Sequence, residues 1–332
     1  MKILVTGSAG FIGHHLTRLL LDRGDQVVGL DNLNNYYSPS LKLYRNERLN
    51  EFNNYNFYNL DITNRNSIAE IFENNHFDAV IHLAAQAGVR IPVEENYRYT
   101  QSNLVGFENI STHVLRHGIR NFIYASSSSV YGDKAKIPLS ETETNLLPNS
   151  YYGATKLSNE IVAKTLFRDS NTNVRGLRFF SVYGPMGRPD MAYFKLLSCA
   201  VTGDIFKLYG DGSIKRDFTY IKDASEITLK LINNLMNQPS GINDLVNVGG
   251  GHPMSMLELL QISEKISKHQ FKIEYLPRFG ADSTITEADT SLQERLVSTS
   301  PQTTLNEGII QTYAWMNSEQ IKSRLSDWLS KA

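Results

Sequence analysis

Tyr152-Gly153-Ala154-Thr155-Lys156 sets a phenol and an ammonium four residues apart. On a helix that spacing puts both groups on one face, within mutual reach. A phenol ordinarily titrates at about 10, so a neighbouring ammonium that favours the phenolate draws Tyr152 towards working pH and makes the pair an acid/base catalyst. Alone, the spacing is common on solvated helix faces. Some 25 residues upstream, Ser126-Ser127-Ser128-Ser129-Val130-Tyr131-Gly132 follows a predicted strand and offers hydroxyls to the oxygen whose proton Tyr152 removes. A serine-rich loop is the plain alternative for that run, and its place ahead of the Tyr/Lys pair argues against it.

A second cluster stands at the N-terminus. Gly7-Ser8-Ala9-Gly10-Phe11-Ile12-Gly13 follows a predicted strand and opens a predicted helix, the context in which a glycine pattern becomes a phosphate site. Without side chains, Gly7 and Gly10 let backbone approach a pyrophosphate favoured by the helix N-terminus, and Gly13 allows close helix–strand packing. Asp31 ends the next strand, where a carboxylate accepts hydrogen bonds from an adenosine ribose. A 2′-phosphate there would meet like charge, and no basic residue immediately follows, so the pattern favours NAD over NADP. Asp61-Ile62 can border the adenine, although a turn-forming Asp explains Asp61 nearly as well. Leu83-Ala84-Ala85-Gln86 presents small side chains where a large one would block a cofactor; small-residue packing is the rival explanation.

These groups need an alternating framework. Short β-branched runs predict strands at 2–6, 26–30, 56–60, 79–83, 121–125 and 174–179, with helical spacing at 11–23, 64–75, 97–117 and 151–168. The order is that of an α/β, Rossmann-like doubly wound parallel sheet. After about residue 180, Gly184-Pro185, Gly187, Pro189 and Gly210-Asp211-Gly212 break the alternation. A 1–180 NAD-binding domain and a smaller, mainly substrate-binding C-terminal lobe, 181–332, are therefore expected. The two interleave, because segments such as 215–250 are expected back in the first, with 245–249 as a returning strand. Helices are predicted at 223–236 and 255–268, and the Asn-rich 32–64 stretch predicts surface loops.

Composition narrows the partners. The 33 basic and 34 acidic residues nearly cancel and form no long run, which excludes nucleic acid and membrane surfaces as expected partners. No apolar segment approaches the ~20 residues of a spanning helix, and the first apolar run passes directly into the glycine motif, so a cytoplasmic location is expected. Cys199 is the sole cysteine and reads as a small buried apolar residue. His14 and His15 have no acid or thiol at ligand spacing and read as part of a first-turn helix face, with no metal.

Taken in order, the glycine motif, the Ser-Ser-Ser-x-Val-Tyr-Gly run and Tyr-x-x-x-Lys resemble the extended short-chain dehydrogenase/reductase family. The likeness runs essentially end to end, through 82–90, Ser102-Asn103-Leu104, 176–185 and 216–221. Within it, Gly187-Arg188-Pro189-Asp190-Met191-Ala192 is similar to the pattern of UDP-glucuronate 4-epimerases. The resemblance implies a catalytic set of Ser127, Tyr152 and Lys156, with Ser128 and Ser129 assisting the substrate. It implies NAD held by Gly7, Ala9, Gly10, Phe11, Ile12 and Gly13, by Asp31, Asn32, Asp61 and Ile62, and by Leu83, Ala84, Ala85, Ala125, Phe179 and the Tyr/Lys pair. Family dehydratases and decarboxylases carry acid at positions equivalent to 128 and 129, or 129 alone; serine at both implies simple epimerisation.

For a UDP-sugar substrate, the resemblance assigns the diphosphate to Arg216 and, through a segment 277–282 that departs from the family's Gly-Asp pattern, to Arg278. Arg188, with Arg90 as a second cation, would meet a uronate carboxylate, and Ser181 would touch the sugar or the nicotinamide edge; a structural role for either arginine has equal standing. A neutral UDP-hexose or N-acetyl sugar is the nearest rival substrate, and a non-catalytic dinucleotide sensor the rival of another kind. The family also implies a homodimer joined through 97–117 and 151–168.

Overall fold

A computed structural model describes residues 1–278, 280 and 283–330. Among them, β1 (Lys2–Thr6), α1 (Phe11–Asp22), β2 (Gln26–Asp31), α2 (Pro39–Leu49), β3 (Tyr55–Asn59), α3 (Arg65–Glu73) and β4 (Ala79–His82) alternate as the periodicity requires. There follow α4 (Tyr97–Tyr99), a π turn (Thr100–Val105) running into α5 (Gly106–Arg116), β5 (Asn121–Ser127), α6 (Tyr151–Leu166) and β6 (Asn173–Phe179). The strands pair in parallel in the order β3-β2-β1-β4-β5-β6.

Because helices cover both faces, the inner strands are continuously apolar: Ile3, Leu4 and Val5 are all fully buried. Ile3 and Val5 pack with Leu16 and Leu20 of α1 on one face, Leu4 with Ile68 and Phe72 of α3 on the other. Strand order reverses between β1 and β4, so their C-terminal ends flank a topological switch point, the usual place for a ligand crevice.

One expectation fails here. Helix α2 lies inside 32–64, where composition predicts loops. Its buried face is Leu41, Tyr44, Arg45 and Leu49, a helical spacing disguised by a buried arginine and by the surrounding asparagines.

The second half supplies β7 (Ser181–Tyr183), α7 (Ala192–Thr202), β8 (Phe206–Tyr209), β9 (Lys215–Tyr220), α8 (Ile221–Met236) and β10 (Asn243–Val248). It continues with β11 (Pro253–Ser255), α9 (Met256–Ser267), β12 (Ile273–Leu276), α10 (Ser291–Val297), α11 (Leu305–Met316) and α12 (Glu319–Leu329). β10 pairs in parallel with β6 as the seventh strand of the main sheet, and Ile227 and Leu231 of α8 join the α1 side of the core. Of the segment 215–250, β9 lies outside that sheet, between β7 and β11, while β8 and β12 form a separate parallel pair.

Candidate active site

The C-terminal ends of β1, β2, β4, β5 and β6 open into a cavity of about 930 Å³, closed opposite by α7, β8, β9 and the loop carrying Arg188. Gly7 turns the chain from β1 into α1 at φ +74°. An ideal Cβ on Gly7 would stand 2.7 Å from the Ala84 nitrogen, and one on Gly13 2.0 Å from the Gly7 carbonyl oxygen. Any side chain at either position would break the turn or fill the cradle. Helix α1 starts at Gly10 without a side-chain cap and with no acid in its first turn. Gly10 donates its own N–H to the Gly7 carbonyl at 2.9 Å, and the first-turn N–H groups that follow, backed by the helix dipole, meet the cavity at Phe11, Ile12 and Gly13. With Asp31 at the end of β2, its Oδ1 accepting from the Leu33 N–H at 2.9 Å, the cradle fits a dinucleotide.

Asn32, Ile62, Leu83, Ala84, Ala85, Ala125 and Phe179 also line this wall. Ala9 and Asp61 do not. Ala9 is fully buried behind the turn, and the Asp61 carboxylate is taken by Asn32 Nδ2 at 2.7 Å and the Thr63 N–H at 2.8 Å. Lys42 of α2 reaches the wall instead, with Nζ 2.8 Å from Asn34 Oδ1. Its sequence distance from Asp31 hid it.

Helix α6 is capped by Ser150, whose Oγ accepts from the Gly153 N–H at 3.0 Å. A Cβ on Gly153 would lie 2.5 Å from the Ser129 carbonyl oxygen, so the glycine inside Tyr-x-x-x-Lys is what lets the helix press on the serine turn. Tyr152, Lys156, Ser127, Ser128 and Ser129 all line the cavity. Lys156 Nζ donates to the Ala125 carbonyl at 2.8 Å and stands 5.9 Å from the Tyr152 ring centroid. Burial drops the ammonium to about 8 against the opposing pull of Glu160. Glu160 is itself held by Arg178 at 2.7 and 2.9 Å and by Ser126 Oγ at 2.5 Å.

Without a nicotinamide charge beside it, the Tyr152 phenol is not brought down by the chain's own cations. Burial raises it above its ordinary value, and Arg188 and the Ser127 hydroxyl only partly pull it back. Desolvation of the phenolate outweighs every nearby charge of the chain alone.

Opposite the cradle the cavity gathers Arg90, Ser181, Arg188 and Arg216. Arg188 makes a fork-to-fork pair with Asp190 at 3.0 and 2.6 Å, and the Tyr36 hydroxyl donates to the same carboxylate at 3.2 Å. Arg216 Nη1 donates to the Ser283 carbonyl at 2.7 Å, and the Arg90 guanidinium lies 5.0 Å from the Tyr209 ring centroid. Arg278 is not part of the lining; its Nη2 donates to Thr284 Oγ1 at 3.1 Å. Phe279, Ala281 and Asp282 of that segment lie outside the described residues.

Sequence reasoning missed Tyr36, Asp190 and Lys195 as cavity residues, and the part played by Asn103. Asn103 Nδ2 bonds the Gln86 carbonyl at 3.1 Å and Thr155 Oγ1 at 3.0 Å, tying the end of β4 to α6. It projects from the π turn, whose extra backbone residue shifts the helical phase and cannot be read from apolar spacing. Tyr36 and Lys195 are ordinary in type and carry no motif. Away from the cavity, the Cys199 thiol is buried and pushed up to about 11. His15 Nε2 lies 3.1 Å from the Pro185 carbonyl, and burial holds its imidazole neutral with a pKa of about 4.

The NAD dependent epimerase/dehydratase family model matches residues 3–249. The UDP-glucuronate 4-epimerase of Thermodesulfobacterium geofontis is 38% identical over 323 residues, covering 96% of this chain and 98% of that one. A crystal structure of UDP-glucuronic acid 4-epimerase from Bacillus cereus, in complex with UDP-glucuronic acid and NAD, is 32% identical with a TM-score of 0.87, covering 95% of this chain and 99% of that one. A UDP-glucose 4-epimerase from Thermotoga maritima, with UDP-glucose, is 28% identical with a TM-score of 0.86, covering 95% and 98% respectively. With the match reaching from the glycine turn to the seventh strand, and with the cradle and the Tyr/Lys pair on one cavity, this chain belongs to the NAD dependent epimerase/dehydratase family.

Proposed function

We infer that the chain is an NAD-dependent nucleotide-sugar C4 epimerase, an isomerase that converts a UDP-sugar through a 4-keto intermediate, with UDP-glucuronate and UDP-galacturonate as the preferred pair. The observation that carries this is one cavity holding the dinucleotide cradle at Gly7, Gly10 and Gly13, the Tyr152/Lys156 pair, and three arginines on the opposite wall.

Bound at the cradle, NAD supplies a reversible hydride acceptor and, when oxidised, the positive charge that the phenol lacks in the chain alone. Tyr152 takes the proton from the sugar 4-hydroxyl and later returns it. Ser127 orients that hydroxyl, and Lys156, fixed on the Ala125 carbonyl, stabilises the phenolate. Arg216 grips the diphosphate, so the keto sugar turns about its nucleotide and presents its other face. Serine at both 128 and 129 leaves the site without the acid that family dehydratases and decarboxylases use.

Arg188 receives the uronate carboxylate on this reading. Its pairing with Asp190 favours a second one, in which a neutral UDP-glucose/UDP-galactose or N-acetyl pair is preferred because the arginine's charge is already balanced. The test is incubation with UDP-glucuronate or UDP-glucose, without added reductant, and separation of the sugar products. UDP-galacturonate as the main product supports the first reading and UDP-galactose the second. NAD binding without turnover would leave a dinucleotide sensor.

Exposed Tyr97, Tyr151, Ile161 and Val162 on the α4 and α6 surfaces support a homodimer through these helices. Among the described residues no helix is long and apolar enough to cross a membrane; a cytoplasmic location is part of the proposal.

A further inference from the structure

Arg45 is a fully buried arginine on α2, and none of its bonds ends on a carboxylate. Its five N–H groups are used in full. Nε and Nη2 donate to the Met186 carbonyl at 3.0 and 2.6 Å, and Nη2 also donates to the Gly187 carbonyl at 3.0 Å. Nη1 donates to the Ala9 carbonyl at 3.1 Å and to the Tyr37 hydroxyl at 2.7 Å. Burying a guanidinium without a counter-ion is costly, and a chain keeps one where the rigid fork does something that a point charge cannot.

The atoms it joins belong to the two halves of the site. Ala9 is part of the glycine turn, and Met186-Gly187 leads directly into Arg188. That lead-in is tightly constrained. Met186 sits at φ +57°, the left-handed region that side-chain-bearing residues rarely adopt, and a Cβ on Gly187 would lie 1.6 Å from the Tyr193 hydroxyl. From the segment preceding α2, Tyr36 donates to Asp190, the partner of Arg188. The excursion between β2 and β3 therefore holds both the approach to Arg188 and its counter-ion.

We propose that Arg45 is a positioning residue for sugar selection: it fastens the 186–188 loop to the glycine turn, and so fixes Arg188 relative to the cofactor. The kinetic consequence rests on the uronate reading above; the fastening itself does not.

The experiment compares wild type, Arg45→Lys, Arg188→Met and the double variant, each with NAD. Arg45→Lys keeps the charge and loses the fork. Amide exchange in 185–191 should rise, and kcat/KM for UDP-glucuronate should fall about tenfold, less than on removing Arg188 itself, with little change for UDP-glucose. In the Arg188→Met background the same substitution should cost UDP-glucuronate nothing more, because both act through one guanidinium. Equal losses on both substrates, additive losses in the double variant, or unchanged exchange at 185–191 would each overturn the proposal. Should Arg45→Lys fold poorly, Tyr37→Phe removes one acceptor of the clasp and should give the same signature in smaller measure. Wild type that turns over neither sugar would fail the epimerase reading, while the exchange measurement still decides the clasp.

Discussion

The cavity's two walls are built by different means. The cofactor wall is mostly backbone: Gly7, Gly10 and Gly13, an uncapped helix start and small residues at the end of β4, all anchored on paired strands. The opposite wall, proposed for the sugar, is mostly side chain, with Arg90 and Arg188 brought from loops, Lys195 from α7 and Arg216 from β9, far apart in sequence. A backbone wall has one shape and tolerates no added atom. A side-chain wall can exchange partners, as the Arg188–Asp190 pair can when another carboxylate arrives, and a reaction that must grip a nucleotide while its sugar turns needs both.

The sharpest way to break this comparison lies between the walls. On the proposed mechanism Tyr152→Phe removes the proton carrier, together with its bond to the Ser127 hydroxyl, so turnover should drop by about 10²–10⁴ while NAD binding is kept. A variant that retained most of its kcat in a steady-state assay would move the chemistry elsewhere in the cavity. Next comes the backbone wall. Gly13→Ala puts a methyl group 2.0 Å from the Gly7 carbonyl oxygen, and should cost up to about 3 kcal/mol in denaturant unfolding and abolish NAD retention on gel filtration. Arg188→Met, on the side-chain wall, should fold normally. Its kcat/KM for UDP-glucuronate should fall by about 2 kcal/mol and that for UDP-glucose by clearly less, a remainder expected because Arg188 also eases the Tyr152 phenol; equal losses would show that the wall does not discriminate.

The smallest effect concerns Lys156, where the walls meet. Its ordinary value is 10.5, and burial lowers it to about 8 in the folded chain. Between those values the unfolded chain binds the proton and the folded chain releases it, so stability should rise with pH across the window, by about 1 kcal/mol per unit from this group. Below about 8 both states are protonated and the contribution is flat. Unfolding curves for wild type and Lys156→Met through this range should differ in slope, and parallel curves would mean that the ammonium is not desolvated.

The same contrast explains what could be read in the sequence. Steric necessity writes itself locally: Gly7 at positive φ, Gly13 against the Gly7 carbonyl and Gly153 against the serine turn admit no other residue, so the cradle and the Tyr/Lys helix were legible. The continuous apolar strands were legible for a related reason, since burial on both faces leaves few alternatives. The helix at 39–49 was not, because its inward face carries Arg45 amid asparagines. Nor was the engagement of Arg188, whose partner Asp190 is in turn held by Tyr36, 154 residues away. The rise of the Tyr152 phenol also escaped, because spacing reports charge but not burial.

The seventh strand has a consequence for biosynthesis. β6 is buried along its whole length, yet the neighbour that covers its outer edge, β10, is synthesised roughly sixty residues later. At about 5–20 residues per second, that edge is exposed on the ribosome for about 3–13 s, with Arg175 waiting for the Asp244 carboxylate it will hold at 2.7 Å. An open parallel edge of this kind is a template for pairing with another chain. Nascent chains stalled between β6 and β10 should therefore recruit chaperones or aggregate, whereas chains released after β10 should not.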